Sequence, residues 1–543
     1  MKYVIGIDYG TLSGRTVLVN TETGEEVAEA TLAYAHAVMD EKLPSGKKLP
    51  ANYALQHPND YLDVLRTTVP SVLKQARVNA NEVVGIGIDF TACTVLPIDK
   101  EGTPLCMKAE YENEPHAYVK LWKHHAAQSE ADEITALAAK RNEPWLPIYG
   151  GKISSEWALP KILQVLREAP EIYDNTDRFL EAADWLSLML TETETHSAAF
   201  AGYKGLWNAE TGYPNDAFMT ALDERLHGIV GTKLSEKVLG MDQIAGTMSA
   251  RGASLTGLPV GIPVALPMID AHAAMPALGI TGDGDLMMIV GTSTCHILNS
   301  TQSKNVEGIC GYVKDGVIPG CYTYEAGQAA VGDSFDWFVK NCVPASYTDE
   351  AKEKGMNIHK LLREKASRLN AGESGLLALD WFNGNRSILV NANLTGLILG
   401  MTLQTKPEEI YRALIEATAY GTRVIVEQYE KNGIEIKSLC AAGGIAQKDG
   451  MMMQIYADVL NREIRIAGST QAGALGSAIY ASVAAGIYPD VNTAARRLAK
   501  PDLKVYKPNQ ENHKAYSKLY TEYKKLHDYF GKSENDVMQR LRL

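Results

Sequence analysis

The sequence lacks the marks of a secreted, membrane-spanning or zinc-binding protein. Its seven cysteines show no regular spacing and no Cys-x-x-Cys pair, so they predict neither a disulfide framework nor a zinc site. No run of about 18 apolar residues occurs, and Asp8 interrupts the apolar stretch at the N-terminus. We therefore expect no signal peptide, no membrane span and a reducing, cytoplasmic location.

Concentrated positive charge is also missing. The 543 residues carry a formal net charge of -12, and the lysines and arginines are dispersed along the chain. This distribution argues against nucleic acid or a membrane surface as a partner. The length exceeds what one hydrophobic core usually supports, so two large domains are expected.

The best-known phosphate-binding motifs are absent. The sequence contains no Gly-x-x-x-x-Gly-Lys-Ser/Thr loop, no His-Arg-Asp or Asp-Phe-Gly motif, and no Gly-x-Gly-x-x-Gly fingerprint. These absences exclude P-loop and protein-kinase chemistry. Any phosphate site must therefore be built from other backbone turns.

Two similar hairpins supply such turns. Residues 3–19 (YVIGIDYGTLSGRTVLV) and 286–298 (LMMIVGTSTCHIL) each contain an apolar strand that ends in Gly-Thr and is followed by a second strand. Small residues at the turn allow backbone N–H groups and hydroxyls to approach a phosphate. Either segment alone could be an ordinary hairpin. Two copies, with the costly carboxylate of Asp8 beside the first, favour a clamp on one polyphosphate.

This arrangement is similar to the actin-like ATPase (ribonuclease H-like) architecture. It predicts an α/β protein of two domains, each a mixed sheet with helices on both faces, and an active site in the cleft between them. The predicted bounds are an N-terminal domain over 1–260, a C-terminal domain over 261–510 and a peripheral helical tail over 511–543. The Gly-, Pro- and Ser-rich segment 249–264 is expected to link the domains.

Local patterns predict individual elements. A buried strand is expected over 83–93, and the apolar spacing predicts helices after Pro58, over 154–167, over 179–191 and from about Lys406. At the last of these, Thr405 and Glu408 resemble a capping box. Gly473 and Gly476 are expected to pack a helix closely on a sheet, rather than to contact a ligand.

Six segments in order resemble the FGGY family of carbohydrate kinases. They are DYGTLSGR, IGIDFTAC, VALPMIDAHAA, IVGTSTCHIL and residues 382–403 and 440–460. The resemblance extends from about residue 3 to about residue 505. Each segment alone is a weak signal, whereas the six together are specific. The resemblance implies an enzyme that phosphorylates a sugar, with ATP and Mg²⁺ as cofactors.

The resemblance also implies roles for single residues. Asp270 matches the general base that accepts the proton of the attacking sugar hydroxyl, and the alternative is a structural Asp that caps a helix. Asp8 would hold Mg²⁺, through water. The cofactor-binding positions are Gly10, Thr11, Ser13 and Arg15 at the first phosphate turn, Gly291, Thr292 and Ser293 at the second, and Gly443 and Gly444 against the adenosine.

The implied sugar contacts are Asp89, Ala92, Lys204 and Glu325, together with Asp270. The segments around them are most similar to family members that act on ribulose, which implies phosphorylation of ribulose at O5 in pentose (L-arabinose) catabolism. Lys204 could instead be a solvated surface lysine. The alternative functions are another sugar or polyol kinase, such as a xylulokinase, and an actin-like chaperone or filament protein. The last does not explain Asp270.

Two positions depart from the pattern of the similar family members. His124 stands where those members often have Asp, and residues 447–449 stand where relatives commonly have Asn, so the adenine contact stays open. His272 follows Asp270 by two positions and could be a second base, although a core histidine is expected. The stereochemistry of the sugar, the oligomeric state, including a homodimer, and regulation are also left open.

Overall fold

A computed structural model describes residues 1–468, 471–500, 502–532 and 534–541. Contacts between residues divide the chain into two compact units. The first unit is formed by residues 1–282, 312–323 and 471–500, and the second by residues 283–311, 324–470 and 501–543. The chain therefore passes between the units several times. The continuous domains 1–260, 261–510 and 511–543 stay a prediction.

The strands are numbered in chain order. They are β1 (Tyr3–Tyr9), β2 (Ser13–Asn20), β3 (Glu26–Ala33), β4 (Leu55–Gln56), β5 (Val83–Phe90), β6 (Val95–Ile98), β7 (Val119–Lys120), β8 (Arg178–Glu181), β9 (His196–Ser197), β10 (Val238–Leu239), β11 (Ile244–Thr247), β12 (Pro263–Ala265), β13 (Met268–Ile269), β14 (Asp285–Val290), β15 (Thr294–Ser300), β16 (Gly311–Lys314), β17 (Tyr322–Gln328), β18 (Leu377–Leu379), β19 (Leu397–Leu399), β20 (Ser438–Ala442), β21 (Ile464–Ile466) and β22 (Lys504–Tyr506).

The α-helices are numbered in the same way. They are α1 (Pro58–Ala76), α2 (Gln128–Arg141), α3 (Ala158–Glu168), α4 (Pro170–Asn175), α5 (Ala182–Thr191), α6 (Ala198–Lys204), α7 (Asp216–Leu222), α8 (Ile229–Thr232), α9 (Ala250–Thr256), α10 (Asp270–Ala277), α11 (Gly332–Cys342), α12 (Ala345–Glu353), α13 (Ile358–Ala366), α14 (Pro407–Lys431), α15 (Gly444–Lys448), α16 (Gly450–Leu460), α17 (Ala472–Ala484), α18 (Val491–Leu498), α19 (Gln510–Gly531) and α20 (Val537–Arg540). Within the part of the chain that the structure describes, no helix combines the length and the apolar content needed to cross a membrane.

The first unit is built around a mixed sheet. Its strand order is β11-β12-β5-β1-β2-β3, and β13 also pairs with β5. Strand β5 runs parallel to β1, β12 and β13, whereas β1, β2 and β3 are successively antiparallel. Since parallel neighbours end at the same edge of a sheet, the carboxyl ends of β1, β5 and β13 lie together.

Helices cover both faces of this sheet. Tyr9 of β1 faces α1, where its hydroxyl donates to the Tyr61 carbonyl oxygen at 3.1 Å. Gly6 is three positions earlier on the strand, so it lies on the opposite face, and there it contacts α17. The predicted mixed sheet flanked by helices is therefore confirmed.

Helix α17 packs very closely on β1 and β5. A Cβ atom on Gly6 would lie 1.8 Å from the Ala474 carbonyl oxygen, and one on Gly87 would lie 2.2 Å from the Ser477 carbonyl oxygen. On the helix itself, a Cβ atom on Gly476 would lie 1.7 Å from a backbone oxygen of α10. These distances exclude any side chain. Gly476 does permit a close approach, but to helix α10 and not to the sheet as predicted.

The second unit also contains a mixed sheet. Its strands follow the order β17-β15-β14-β20-β21-β22. Strand β14 is antiparallel to β15 and parallel to β20, and β20 is parallel to β21. The β14–β15 pair is the second hairpin that the sequence predicts. The long helix α14 is also confirmed, and α15 packs against β14 and β20.

The C-terminal helix α19 contributes to a buried polar network of the second unit. The Tyr523 hydroxyl donates to Asp380 Oδ1 at 2.9 Å, and the Gln328 amide donates to Asp380 Oδ2 at 2.7 Å. The Thr422 hydroxyl of α14 then donates to Gln328 Oε1 at 2.8 Å. Because all four side chains are buried, this helix contributes to the interior of the second unit.

The structure corrects three local predictions. Segment 249–264 is no domain link: it contains α9, which Ser249 caps by accepting the Gly252 N–H at 3.2 Å, and β12 of the central sheet. Segment 179–191 begins as strand β8 and becomes helical only at α5. At α14 the Glu409 carboxylate accepts the Lys406 N–H at 2.6 Å, one residue beyond the predicted capping pair. Glycine and serine cap helices as readily as they form linkers, which explains the first error.

Substitution of Gly6 tests the close packing of α17. We expect Gly6→Ala to lower the free energy of unfolding by at least about 2 kcal/mol, because the added methyl group overlaps the Ala474 carbonyl oxygen. Urea unfolding measures the change. Gly231→Ala is the matched control, since nothing lies within 4 Å of a Cβ atom at that position. Equal stability of the two variants would contradict the packing argument.

Candidate functional site

Three carboxylates lie at one edge of the first sheet. Asp8 is near the end of β1, and the strand register places it beside Asp89 of β5. Asp270 follows β13, whose Met268 pairs with Asp89. The sequence predicts roles for these three residues separately, and the structure brings them together.

The Asp8 and Asp89 carboxyls form an electrostatically strained pair. Burial raises the pKa of Asp89 well above its usual value, and the charges of Asp8 and Asp270 raise it further. Burial also raises the pKa of Asp8, although the nearby Arg15 guanidinium opposes this shift. Two adjacent carboxylates that are taken out of water disfavour double ionisation, so the pair holds a proton or attracts a cation.

The N-terminal part of α17 lies over this pair. The Ser477 hydroxyl donates to Asp89 Oδ2 at 2.6 Å. A Cβ atom on Gly473 would lie 3.2 Å from Asp89 Oδ1 and 3.5 Å from Asp8 Oδ2. Gly473 therefore leaves space beside both carboxyls. Its position differs from that of Gly476, although the sequence suggests the same packing role for both.

The first phosphate turn joins β1 to β2. The Gly10 N–H donates to the Ser13 carbonyl oxygen at 3.0 Å, which closes the turn. The Thr11 hydroxyl accepts the Trp122 indole N–H at 3.1 Å. Arg15 pairs with Asp8 across the hairpin, with 3.9 Å between Nη1 and Oδ2. The turn thus presents a guanidinium and small residues beside the carboxyl pair.

The second phosphate turn joins β14 to β15 in the other unit. The Gly291 N–H donates to the Ser293 carbonyl oxygen at 2.9 Å. The Thr292 carbonyl oxygen accepts the N–H groups of Val331 at 2.8 Å and Asp333 at 3.2 Å, at the start of α11. These bonds attach the turn to a helix.

The glycine pair at 443–444 follows β20 in the same unit. Gly443 has a φ of 94°, and a Cβ atom there would lie 2.5 Å from the Val290 carbonyl oxygen. Packing therefore requires this glycine. Gly444 has nothing within 4 Å of a Cβ position, so its side is open to a ligand.

Asp270 is the first residue of α10, and it is partly exposed. Its Oδ1 accepts the N–H of the next residue, Ala271, at 2.7 Å. This bond orients the carboxylate at the helix start, and the exposed part can meet a substrate. His272 is fully buried and packs edge-on against Tyr203, with ring centroids 4.5 Å apart. That is the environment of a core histidine.

The implied sugar contacts occupy both units. Ala92 lies in the turn after β5, and Lys204 ends α6. Lys204 is 5% exposed, with Nζ 5.7 Å from the centroid of the Trp157 ring, so it is no solvated surface lysine. Glu325 lies on β17 of the second unit and is 6% exposed, and its Oε1 is 3.8 Å from Arg386 Nη2.

His124 is buried in the first unit, where both of its ring nitrogens contact protein groups. It is fully buried, its Nδ1 accepts the Ala54 N–H at 3.3 Å, and its Nε2 lies 2.9 Å from Gln164 Oε1. Burial and nearby lysine charges lower the pKa of His124 to about 2. A neutral ring with both nitrogens bonded therefore occupies the position where an acid is expected.

Several residues at the site are not assigned to it by the sequence analysis. Ser477 and Gly473 reach the carboxyl pair from the far end of the chain, and Arg386 reaches Glu325. A signal for the first two was present, since the single glycine of IGID and the alternate glycines of GIGID leave one face of each strand open to a helix. Arg386 lies in segment 382–403, which resembles the family, but no pattern within that segment assigns a role to it.

The carboxyl pair is suited to Mg²⁺. Among the residues that the structure describes, no group of three or more His, Cys, Asp or Glu side chains could hold a metal ion. Magnesium needs only one or two carboxylates, since it retains much of its water shell. The repulsion between Asp8 and Asp89 and the space beside Gly473 fit such an ion.

The protonation of Asp89 can be tested through stability. Its raised pKa means that the folded protein keeps a proton that the unfolded chain releases above about pH 4. The stabilisation from this proton is complete at lower pH and is lost as pH rises towards the folded-state pKa. Asp89→Asn cannot ionise, so its stability relative to wild type should increase with pH, by up to about 1.4 kcal/mol per unit.

Urea unfolding of both proteins between about pH 4 and pH 7 measures this difference. Asp63→Asn is the control, because that side chain is 41% exposed and lies on α1. A difference between Asp89→Asn and wild type that does not vary with pH would mean that Asp89 is ionised throughout.

Known proteins are similar to this chain over nearly its whole length. The model of the N-terminal domain of the FGGY family of carbohydrate kinases matches residues 3–277, and that of its C-terminal domain matches residues 286–485. A protein of Bacillus licheniformis named Ribulokinase is 53% identical over 536 residues, which cover 98% of this chain and 97% of that protein. Ribulokinase of Mycolicibacterium smegmatis is 47% identical over 100% of this chain and 96% of its own length.

Solved structures establish the fold. The xylulose kinase from Rhodospirillum rubrum aligns with a TM-score of 0.82 at 22% identity, over 97% of this chain and 98% of its own. The ligand-bound xylulose kinase from Lactobacillus acidophilus aligns with a TM-score of 0.80 at 18% identity, over 98% of this chain and 99% of its own. The predicted actin-like fold of two α/β domains is thereby confirmed. The chain belongs to the FGGY family of carbohydrate kinases.

Proposed function

We propose that this chain transfers the γ-phosphoryl group of ATP to the O5 hydroxyl of ribulose, in pentose (L-arabinose) catabolism. The assignment of ribulose as the substrate rests on full-length similarity. Five relatives at 52–53% identity, each covered over 97% of its length, are named Ribulokinase. The family supplies the reaction class, which is phosphorylation of a carbohydrate. The proposed location of this reaction is the cytoplasm.

Asp270 is the proposed general base. Its carboxylate accepts the proton of the sugar hydroxyl as that oxygen attacks the γ-phosphorus in line. The bond from the Ala271 N–H to Oδ1 orients this carboxylate at the start of α10. Partial exposure at the carboxyl edge of the sheet supports this role. His272 is not part of the proposal, because it is buried against Tyr203.

The nucleotide is proposed to contact both turns. Gly10, Thr11, Ser13 and Arg15 would bind phosphate oxygens on one side, and Gly291, Thr292 and Ser293 on the other. Asp8 would hold Mg²⁺ through water, with Asp89 behind it, and the ion when bound neutralises charge on the phosphates. Gly444, and Gly443 beside it, would border the adenosine. Support comes from the open space at Gly444 and from the carboxyl repulsion at Asp8.

The sugar is proposed to bind Asp89, Ala92, Lys204 and Glu325. Lys204 and Glu325 are both buried, and they carry charges of opposite sign. Sugar hydroxyls can donate to a carboxylate and accept from an ammonium, so one charge of each sign suits a polyol. A homodimer is left open by this proposal.

Substrate trials test the proposal directly. ADP release with Mg²⁺ and ATP should be slow without sugar, and ribulose should raise it by orders of magnitude because the base then has a hydroxyl to deprotonate. The coupled assay compares L- and D-ribulose with xylulose, arabinose, hexoses and glycerol. Faster turnover of xylulose would favour the xylulokinase alternative. Equal hydrolysis with and without every sugar would remove the kinase proposal.

The base assignment has its own test. Asp270→Asn should lower kcat by about two to four orders of magnitude, because general base catalysis contributes that much. ATP affinity, measured by calorimetry, should change little, since the residue is assigned to the sugar. Asp63→Asn, an exposed substitution, is the control. A variant at position 270 that keeps half of the wild-type kcat would exclude Asp270 as the base.

A further inference from the structure

The turn after β5 has a constrained backbone. It carries Ala92, one of the proposed sugar contacts, and the next residue, Cys93, has a φ of 58°. Non-glycine residues rarely adopt this left-handed conformation, and it persists where the surroundings hold it in place. The groups that hold Cys93 are therefore of functional interest.

Lys161 of α3 is one of these groups. It is 1% exposed, and its Nζ donates to the Cys93 carbonyl oxygen at 2.5 Å and to the Leu121 carbonyl oxygen at 2.9 Å. The Lys120 carbonyl oxygen lies at 3.4 Å from the same Nζ. An ammonium has three donors, so these contacts use all of them on the backbone. A buried lysine that bonds to backbone carbonyls orders the segments to which they belong.

Glu181 holds the same turn from the other side. Its Oε2 accepts the Thr94 N–H at 2.8 Å. The Cys93 carbonyl and the Thr94 N–H belong to one peptide group, which therefore lies between a buried ammonium and a buried carboxyl. Burial raises the pKa of Glu181 and lowers that of Lys161, and the opposite charge of each partner opposes the shift of the other. Bonds to charged groups in a dry environment fix a peptide plane more firmly than neutral bonds do.

The Lys161 ammonium also reaches the neighbourhood of the first phosphate turn. The Leu121 carbonyl that it binds precedes Trp122, whose indole N–H donates to the Thr11 hydroxyl at 3.1 Å. This connection is indirect, because it runs through a side chain that is 37% exposed. The connection to Ala92 is direct, since Ala92 and Cys93 are adjacent.

We propose that Lys161 and Glu181 are positioning residues, which hold the Cys93–Thr94 peptide group and thereby aim the backbone of Ala92 at the sugar. This inference rests on the proposed function, because it takes Ala92 as a sugar contact. Both residues are buried and act on the backbone of the turn, and neither is among the proposed contacts of the sugar or the nucleotide. Their loss should therefore weaken sugar binding more than ATP binding.

Lys161→Met is the decisive variant. Methionine has a similar length and suits a buried site, yet it donates no hydrogen bonds. Lys120→Met is the matched control: Lys120 is also buried, at 2% exposed, but its Nζ faces His116 Nδ1 at 3.2 Å and does not contact the turn. Both proteins are compared with wild type by hydrogen exchange of the Thr94 amide, and by the KM values for ribulose and for ATP.

We expect Lys161→Met to speed exchange of the Thr94 amide and to raise the KM for ribulose, each by about tenfold, the effect of losing one bond to a charged group. The KM for ATP should stay within about twofold, and Lys120→Met should leave exchange at Thr94 and both KM values within about twofold. Glu181→Gln, which keeps an acceptor for the Thr94 N–H, should change exchange less than Glu181→Met does.

Unchanged exchange at Thr94 in Lys161→Met, or an equal rise of both KM values, would overturn the inference. If the wild-type protein turns over no pentulose, the proposed function fails while the exchange measurement still decides whether the two side chains hold the turn. If Lys161→Met does not fold, Glu181→Met carries the same test, because it removes the second contact to the same peptide group.

Discussion

The close contact of α17 with β1 and β5 is the constraint on which the candidate site depends. Because Gly6 and Gly87 lack side chains, the helix backbone reaches the strands directly. Only at that distance does the Ser477 hydroxyl meet Asp89, a residue 388 positions earlier in the chain. A methyl group between helix and sheet would separate this donor from a buried carboxyl and move the helix that borders the Asp8–Asp89 pair.

The electrostatics of the site follow from that placement. Parallel pairing of β1 and β5 puts two carboxyls side by side, and Asp89 is fully buried beneath the helix above them. The same packing leaves a gap at Gly473, where a cation can relieve the repulsion. The fold thus holds two carboxyls in a mutually repulsive arrangement, and the binding of a cation offsets that repulsion. Groups with strongly shifted pKa values are common at functional sites.

Much of the fold could be predicted because its signals are local. The two hairpins, β5 and α14 follow from apolar periodicity and turn residues within each segment. Local sequence does not decide features that depend on packing between distant segments, and two of them illustrate this. Glycine and serine in 249–264 suit a linker and a helix cap equally well, and the structure contains the cap. Lys204 is buried, although most lysines are exposed, because the packing around α6 decides its environment.

The sequence by itself determined the family, the two phosphate turns and the positions of Asp8 and Asp270 at strand ends, since each of these is written in a short continuous segment. Only the tertiary structure decided which groups meet: Ser477 with Asp89, Gly473 beside Asp8, and Lys161 and Glu181 on one peptide group. Such contacts depend on how closely helices and strands pack, and that distance is set by shape complementarity between segments far apart in the chain.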